Sequence, residues 1–236
     1  MFKPCIIIPI YNHANQLKKF IPKLKKWPII IIDDGNNDEQ KSVLMDIKNL
    51  YGTEILCLPT NRGKGIAILK GLQFALDNGY THALQIDADG QHDMSDIPHF
   101  LELAEKNPQG IINGIPVYDD TVPFSRHMGR KITNFWVAIE TTSLDIKDAM
   151  CGFRLYPLSE MKFILEKKLF TNRMATDIEL IVRSHWEKIK IINYPTKVTY
   201  PENGSSNFKM LRDNVKITIL HMILVLNMFL RKIKQI

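Results

Sequence analysis

Between Cys5 and Gly114, short runs rich in β-branched residues alternate with segments in which apolar residues recur every three or four positions, and this alternation constrains the fold most. Strands separated by helices pair in parallel, and such a sheet needs helices to cover its faces, so βαβ units around a mostly parallel central sheet are expected. The strands read as Cys5–Ile10, Ile29–Ile32, 54–58, 82–87 and 110–114. Between them lie a helix in which Leu17, Phe20, Ile21 and Leu24 share one face and helices near 38–50, 64–78 and 96–106. The fold class is α/β. After Pro116 the pattern loosens: a basic stretch with Ser125, Arg126, Arg130 and Lys131 leads into a helix ending near Thr141, and an extended piece follows at Cys151–Tyr156. Helices near 157–167 and 175–187, strand-like Ile189–Tyr194 and Lys197–Tyr200, a turn-rich Pro201–Ser206 and a helical tail complete the chain. The expected division is one domain over 1–204 and a C-terminal amphipathic helical extension over 205–236.

With 45% hydrophobic and 24% charged residues among 236, the chain can bury a sizeable core. A net charge of +6 suits nucleic acid, an anionic membrane surface or a phosphorylated substrate without choosing among them. Aromatic residues are not interleaved with the basic ones and no nucleic-acid motif is present, so no nucleic-acid partner is expected. Cys5, Cys57 and Cys151 form no C-x-x-C pair and sit in or beside apolar runs, which points to free thiols in a reducing, cytoplasmic setting. No signal-peptide pattern opens the sequence. The run Ile217–Leu230, interrupted by Thr218, His221 and Asn227, is expected to be too short to cross a bilayer and better suited to lying on one.

In open α/β sheets, ligands bind beyond the carboxyl ends of the strands. The first four strands lead into Pro9-Ile10-Tyr11-Asn12, Asp33-Asp34-Gly35, Asn61-Arg62-Gly63-Lys64-Gly65 and Asp87-Ala88-Asp89-Gly90-Gln91-His92-Asp93. The last segment crowds three carboxylates into seven residues, which repel one another unless solvent or a cation neutralises them. Mg²⁺ or Mn²⁺ answers that need, because both favour carboxylate and carbonyl oxygen and take substrate phosphates as further ligands. Capping of the helix near Asp96 by Asp93 or Ser95 is a plainer reading, but it leaves Asp87 at a strand end unexplained. A calcium EF-hand fails for want of a glutamate at the twelfth position. The glycine turn at 61–65 has neither P-loop spacing nor a dinucleotide fingerprint, yet glycines opening a helix let backbone amides and Lys64 approach an anion. Asp33 and Asp34 suit a ribose hydroxyl or base N–H, or a solvated turn. Asp177 and Glu179 lie two apart, so at most one faces a site, and by pattern alone both read as surface acids.

Taken in order, Ile8-Pro9-Ile10-Tyr11-Asn12, Ile32-Asp33-Asp34-Gly35, Asn61-Arg62-Gly63-Lys64-Gly65, Asp87-Ala88-Asp89-Gly90-Gln91-His92, Cys151-Gly152-Phe153-Arg154 and Asp177-Ile178-Glu179 resemble family 2 glycosyltransferases, in particular the branch that contains dolichyl- and polyprenyl-phosphate mannose synthases. The resemblance implies a GT-A fold, a nucleotide diphosphate sugar donor, Mg²⁺ or Mn²⁺, and inversion at the anomeric carbon. It implies that Pro9, Tyr11, Asn12, Asp33 and Asp34 hold base and ribose, and that Asp87, Asp89 and Gln91 surround the metal and diphosphate, with Ala88 and Lys64 beside the donor. Arg126, Arg130 and Arg154 match basic positions near the phosphates, and Asp177 matches the general base of members acting on hydroxyls, so Asp177, Asp89 and Arg154 form the implied catalytic set. The chain departs from the pattern at Asn36, where serine is usual, and at Thr176, which replaces the glutamate before Asp177.

The expected activity is inverting transfer from a UDP- or GDP-sugar to a lipid-linked or hydroxyl acceptor in envelope glycolipid or polysaccharide assembly, a polyprenyl-phosphate glycosyl synthase being one form of it. A non-catalytic nucleotide-binding module lacks a reason for the acidic turn, and a nucleotidyltransferase lacks its N-terminal glycine-rich loop here. In the tail, Val215, Ile219, Met222, Ile223, Leu226 and Leu230 form a helical stripe near Lys209, Arg212, Lys216, Arg231, Lys232 and Lys234. That pattern suits peripheral contact through 209–236 with the inner face of the cytoplasmic membrane, a homodimer, or a core helix.

Overall fold

The computed structural model describes residues 1–118, 124–199 and 210–233, except the side chains of 124–126 and 210–211. Strands β1 (Pro4–Ile10), β2 (Ile29–Asp33), β3 (Glu54–Cys57) and β4 (His82–Gln85) pair in parallel in the order β3-β2-β1-β4. Both faces are covered, which is why β1 and β2 are nearly continuous apolar runs. Alternation then sorts their side chains. Ile6, Ile8 and Ile10 meet Leu17, Leu44 and Phe100 from α1 (Ala14–Phe20), α2 (Asp38–Tyr51) and α4 (Ile97–Lys106). Ile7 on the other face meets Ala67, Ile68 and Leu72 of α3 (Lys64–Asp77), with α6 (Leu158–Leu165) and α7 (Thr176–Trp186) completing that layer.

The sheet continues with β6 (Arg154–Pro157), antiparallel to β4 and to β5 (Ile111–Tyr118), and ends with β7 (Ile191–Val198), parallel to β5. Prolines explain three departures from the expected elements. Pro22 ends α1 at Phe20, so Ile21–Leu24 is a separate 3₁₀ turn although all four expected apolar residues are buried. Pro195 does not divide the last strand, because β7 is at the edge and the missing N–H costs no ladder bond on its open side. Likewise β5 runs through Pro116, since β6 pairs only with Ile112 and Asn113 and leaves the far half of β5 without a partner on that side.

A third cluster joins α5 (Phe124–Thr141), α7 and α8 (Met210–Ile233) through Val137, Ile178, Ile181, Ile217, Leu220 and Leu224. His221 Nδ1 and Glu140 Oε1, 2.6 Å apart and buried, tie α8 to α5. The tail is longer as a helix than its apolar run suggested: Arg212–Ile233 is long and apolar enough to cross a membrane by length and composition. Its inner face is nevertheless built into the core, and the boundary at 204/205 lies outside the described residues. Cys57, expected to behave as a small core residue, is exposed at the end of β3, whereas Cys5 and Cys151 are buried and burial pushes their thiols up to about 12.

Candidate active site

Strands β2 and β4 lie on opposite sides of β1, so a crevice opens at the carboxyl end of the sheet between them. The loops after β1, β2, β3 and β4 meet there. At the end of β2, Asp33 Oδ1 accepts from the Asn36 backbone N–H at 2.8 Å and from Asn36 Nδ2 at 2.7 Å. Asn36 Oδ1 accepts from the backbone N–H of Asn12 at 2.6 Å, holding Asn12 in the left-handed region at φ 61°. The serine-to-asparagine departure is therefore structural: one buried amide ties the β1 loop to the β2 loop. The Asp33 carboxylate is fully buried, and the Cys57 thiol, its register partner on β3, lies against it. Pro9 is buried within β1, while Tyr11 is 36% exposed at the rim.

Asp34 has a structural part beside the one the resemblance implies: its two oxygens accept from the backbone N–H groups of Arg62 and Gly63 at 2.8 and 2.9 Å, so it shapes the glycine turn. Burial pushes its carboxyl up, and those two amide bonds pull it back only in part. Gly63 has φ 99°, and a Cβ there would stand 2.4 Å from the Asn172 carbonyl. The turn thus delivers Lys64, first residue of α3, into the crevice.

Lys64 is the centre of the site. Its Nζ lies 2.8 and 2.9 Å from the two oxygens of Asp87 and 3.0 Å from Asp177 Oδ2. Burial disfavours the ammonium, but the Asp177 and Asp87 carboxylates outweigh it and hold Lys64 above the ordinary lysine range. Burial would also raise Asp87, yet Lys64 and then His92 keep it below the usual carboxylate range. Gln85 Nε2 donates to Asp177 Oδ1 at 2.9 Å, and the Tyr156 hydroxyl donates to Gln85 Oε1 at 3.3 Å. Residue 152 must be glycine, since a Cβ would stand 2.2 to 2.5 Å from the Asp87 carboxylate atoms. Asp89 Oδ1 accepts from the Gln91 N–H at 3.1 Å, and Gly90 makes the turn at φ 73°. Burial, and then the charge of Asp87, raises the Asp89 carboxyl. His92 packs tilted against Phe153 with ring centroids 5.2 Å apart, and burial lowers it in spite of the two aspartates beside it.

These residues fit a hard divalent cation. Asp87 and Asp177 share the Lys64 ammonium, and Asp89 stands close enough to Asp87 for its charge to add to burial in raising the Asp89 carboxyl, so three carboxylates gather near one ammonium, a set of hard oxygens that suits such an ion. Among the described residues no group of three His, Cys, Asp or Glu side chains is placed to hold a metal ion by itself. Asp93 stands apart from that set: it caps the turn Met94–Asp96, accepting from the Ser95 N–H at 2.9 Å, so the capping reading holds for this carboxylate. Ala88 is buried in the core.

The downstream residues divide sharply. Asp177 and Glu179 are both buried, contrary to the surface reading, and the two-residue offset does point them apart. Asp177 faces Lys64, while Glu179 accepts from the N–H groups of Phe170 and Thr171 at 2.9 to 3.0 Å and pairs with Arg183 at 2.7 Å. Arg154 is fully enclosed. Its guanidinium donates to Asn113 Oδ1 at 2.8 Å, to the Ala149 carbonyl at 3.2 Å and to the Asp177 carbonyl at 2.8 Å, so it anchors the start of α7 and presents nothing to the crevice. Arg130 pairs with Asp148 at 3.3 Å and donates to the Tyr118 hydroxyl. The Arg126 side chain lies outside the described residues. Gln85 went unrecognised in the sequence, and Asn36 was marked only as a departure from the pattern; a polar residue at the buried end of an apolar strand was the available signal for Gln85.

A family model described as glycosyl transferase family 2 matches residues 5–161. An uncharacterised protein of Methanocaldococcus jannaschii is 31% identical over 175 residues, 66% of this chain and 74% of that one. The UDP-N-acetylglucosamine–dolichyl-phosphate N-acetylglucosaminyltransferase of Methanococcus voltae is 25% identical over 84% of this chain and 86% of its own length. Among solved structures, glucosyl-3-phosphoglycerate synthase from Mycobacterium tuberculosis, determined with Mn²⁺, UDP and glucosyl-3-phosphoglycerate, superposes with a TM-score of 0.69 at 11% identity, covering 96% of this chain and 80% of that one. The fold is thus GT-A. The chain belongs to glycosyl transferase family 2 and is an enzyme that uses a nucleotide-sugar donor.

Proposed function

We propose that the chain transfers a sugar from a UDP- or GDP-sugar to a polyprenyl-type lipid phosphate, with inversion at the anomeric carbon and with Mg²⁺ or Mn²⁺ held by Asp87, Asp89 and Gln91. The observation that carries the choice of acceptor is the engagement of Asp177, which is buried, accepts from Gln85 and is paired with the Lys64 ammonium. A hydroxyl acceptor needs a base that can receive a proton, whereas a phosphate is already ionised and needs none. Relatives support the same acceptor: the M. voltae enzyme is named for dolichyl phosphate, and a transferase of Edwardsiella ictaluri, 23% identical over 88% of this chain and 63% of its own length, for undecaprenyl phosphate.

In this reading an acceptor phosphate oxygen bonds to the anomeric carbon as the bond to the nucleotide diphosphate breaks, its electron pair leaving on the diphosphate. When bound, the cation neutralises that leaving charge. Lys64 adds a fixed positive charge at the same place, Asp33 accepts from base or ribose, and Asp177 positions Lys64. Arg154 is assigned as a positioning residue acting through Asp177.

The test is transfer from a panel of UDP- and GDP-sugars to polyprenyl phosphate. Asp89→Ala abolishes metal-dependent turnover, and undiminished turnover sinks the metal assignment. Asp177→Asn costs about tenfold or less with the phosphate acceptor, whereas a loss of about 10²- to 10⁴-fold restores the base reading and a hydroxyl acceptor.

A further inference from the structure

Helices α5 and α8 carry a surface that sugar transfer does not use. Along α8, Val215, Ile219, Met222, Leu226, Phe229 and Ile233 succeed one another at steps of four and three, each between 49% and 69% exposed. Steps of that kind keep side chains in one straight stripe. The opposite face of the helix is already occupied, with Ile217, Leu220 and Leu224 buried in the third core cluster. On α5, Met128, Ile132, Phe135 and Trp136 form a second exposed row. Trp136 stacks on His221 of α8, ring centroids 6.3 Å apart, so the second row borders that helix. A contiguous apolar face of this kind on a folded protein marks an interaction surface.

Charge selects the partner. Among the described residues, the exposed charged side chains of these two helices are Lys131, Arg212, Lys216 and Lys232, all basic. Their two acids, Glu140 and Asp213, are buried. A second copy seated on this face would set basic groups against basic groups, whereas an anionic bilayer offers opposite charge at its surface and a hydrocarbon layer beneath. We infer that the α5–α8 face docks on an anionic lipid bilayer, with α8 lying in the plane of the interface and not crossing it. Crossing would strip Ile217, Leu220 and Leu224 from the core and leave the buried His221–Glu140 pair broken in hydrocarbon.

The inference rests on the lipid-phosphate reading for its purpose, and the structure links the two places. A groove of about 190 Å³ between α8 and the loop at 170–175 is lined by Phe170, Arg173, Met174, Ile219 and Ile223. Asn172 and Arg173 of that loop abut Gly63 in the turn that presents Lys64. The groove therefore lies between the apolar stripe and the loop that backs the glycine turn, with Asp213 and Lys216 also in its wall, so an acceptor held on this face is brought to the side of the donor site.

The experiment is co-sedimentation of the full chain with phosphatidylcholine vesicles and with vesicles containing about one third phosphatidylglycerol, at low and high salt. Binding at least about tenfold tighter to the anionic vesicles, weakened by salt, is expected. Met222→Glu with Leu226→Glu, and separately Ile132→Glu with Phe135→Glu, should each cut that binding by about tenfold or more. All these positions are exposed, and unchanged melting shows that the variants fold. Equal binding to neutral vesicles, or binding unchanged in both double variants, overturns the inference. So does a chain that ignores vesicles and sediments as a dimer that Met222→Glu with Leu226→Glu splits, because the face is then the seat of a second copy. Thermal shifts with UDP- and GDP-sugars on the same samples keep the readings separate: their absence in the wild type sinks the transfer reading and leaves the docking result standing.

Discussion

Replacing Lys64 with methionine keeps the length of the side chain and removes its charge, leaving Asp87 and Asp177 facing each other without the ammonium between them. Lys64 is 20% exposed and Asp177 4%, so solvent screens the pair only partly. At 3.0 Å and an effective dielectric constant near 20, the Lys64–Asp177 attraction is about 5.5 kcal/mol before desolvation is subtracted. Desolvation of two largely buried groups offsets about half of that or more, which leaves a net coupling of roughly 2 kcal/mol. Lys64→Met alone should therefore destabilise by about 3 kcal/mol, because it strands charge as well as breaking the pair. The assay is a double-mutant cycle by urea unfolding with Lys64→Met, Asp177→Asn and both together. The double variant should be more stable than the sum of the single losses predicts, by about 2 kcal/mol. Additivity within about 0.5 kcal/mol would refute the clamp, since it would mean that the two side chains do not meet in solution. Donor turnover should vanish in Lys64→Met, with the loss mainly in kcat, where a fixed charge beside the leaving group acts.

Gly152→Ala places a methyl group 2.2 Å from an Asp87 oxygen, so steady-state kinetics should show a fall of about 10²-fold in transfer from misplacement of that carboxylate; wild-type turnover would mean that the strand end yields freely. Asn36→Ala removes the bonds to Asn12, Ile10 and Asp33 and should cost about 2–3 kcal/mol in urea unfolding, with a weaker thermal response to the donor. His82 tests pH dependence: burial lowers it from 6.5, so its neutral form belongs to the folded state and the unfolded chain takes up the proton first. The stability this contributes is present above about pH 6.5 and is lost as pH falls through the lowered value. The urea midpoint should drop below that pH, and His82→Gln should flatten the drop; an unchanged slope rules His82 out as its source.

What the amino-acid order alone determined was local and periodic. Runs such as Ile29–Ile32 are strands because β-branched residues buried on both faces admit little else, and a loop after each strand lies at the carboxyl edge of a parallel sheet by construction. Hence the crevice, its glycine turn and its acidic segment were legible, as was the opposite facing of Asp177 and Glu179. Partners were not. Nothing in the pattern showed that Asp34 also holds the turn at Arg62 and Gly63, and Arg154 was placed near the phosphates, yet it is enclosed beneath α7. Gln85 meets Asp177 across a separation of 92 residues, which no pattern of period 2 or 3.6 encodes. The antiparallel insertion of β6 is equally non-local: four residues with no distinctive rhythm settle between β4 and β5 only once both exist. Periodicity decided which elements form and which edge of the sheet holds the chemistry; the tertiary structure alone decided that one lysine is clamped between two aspartates there, because burial and pairing are properties of the assembled sheet.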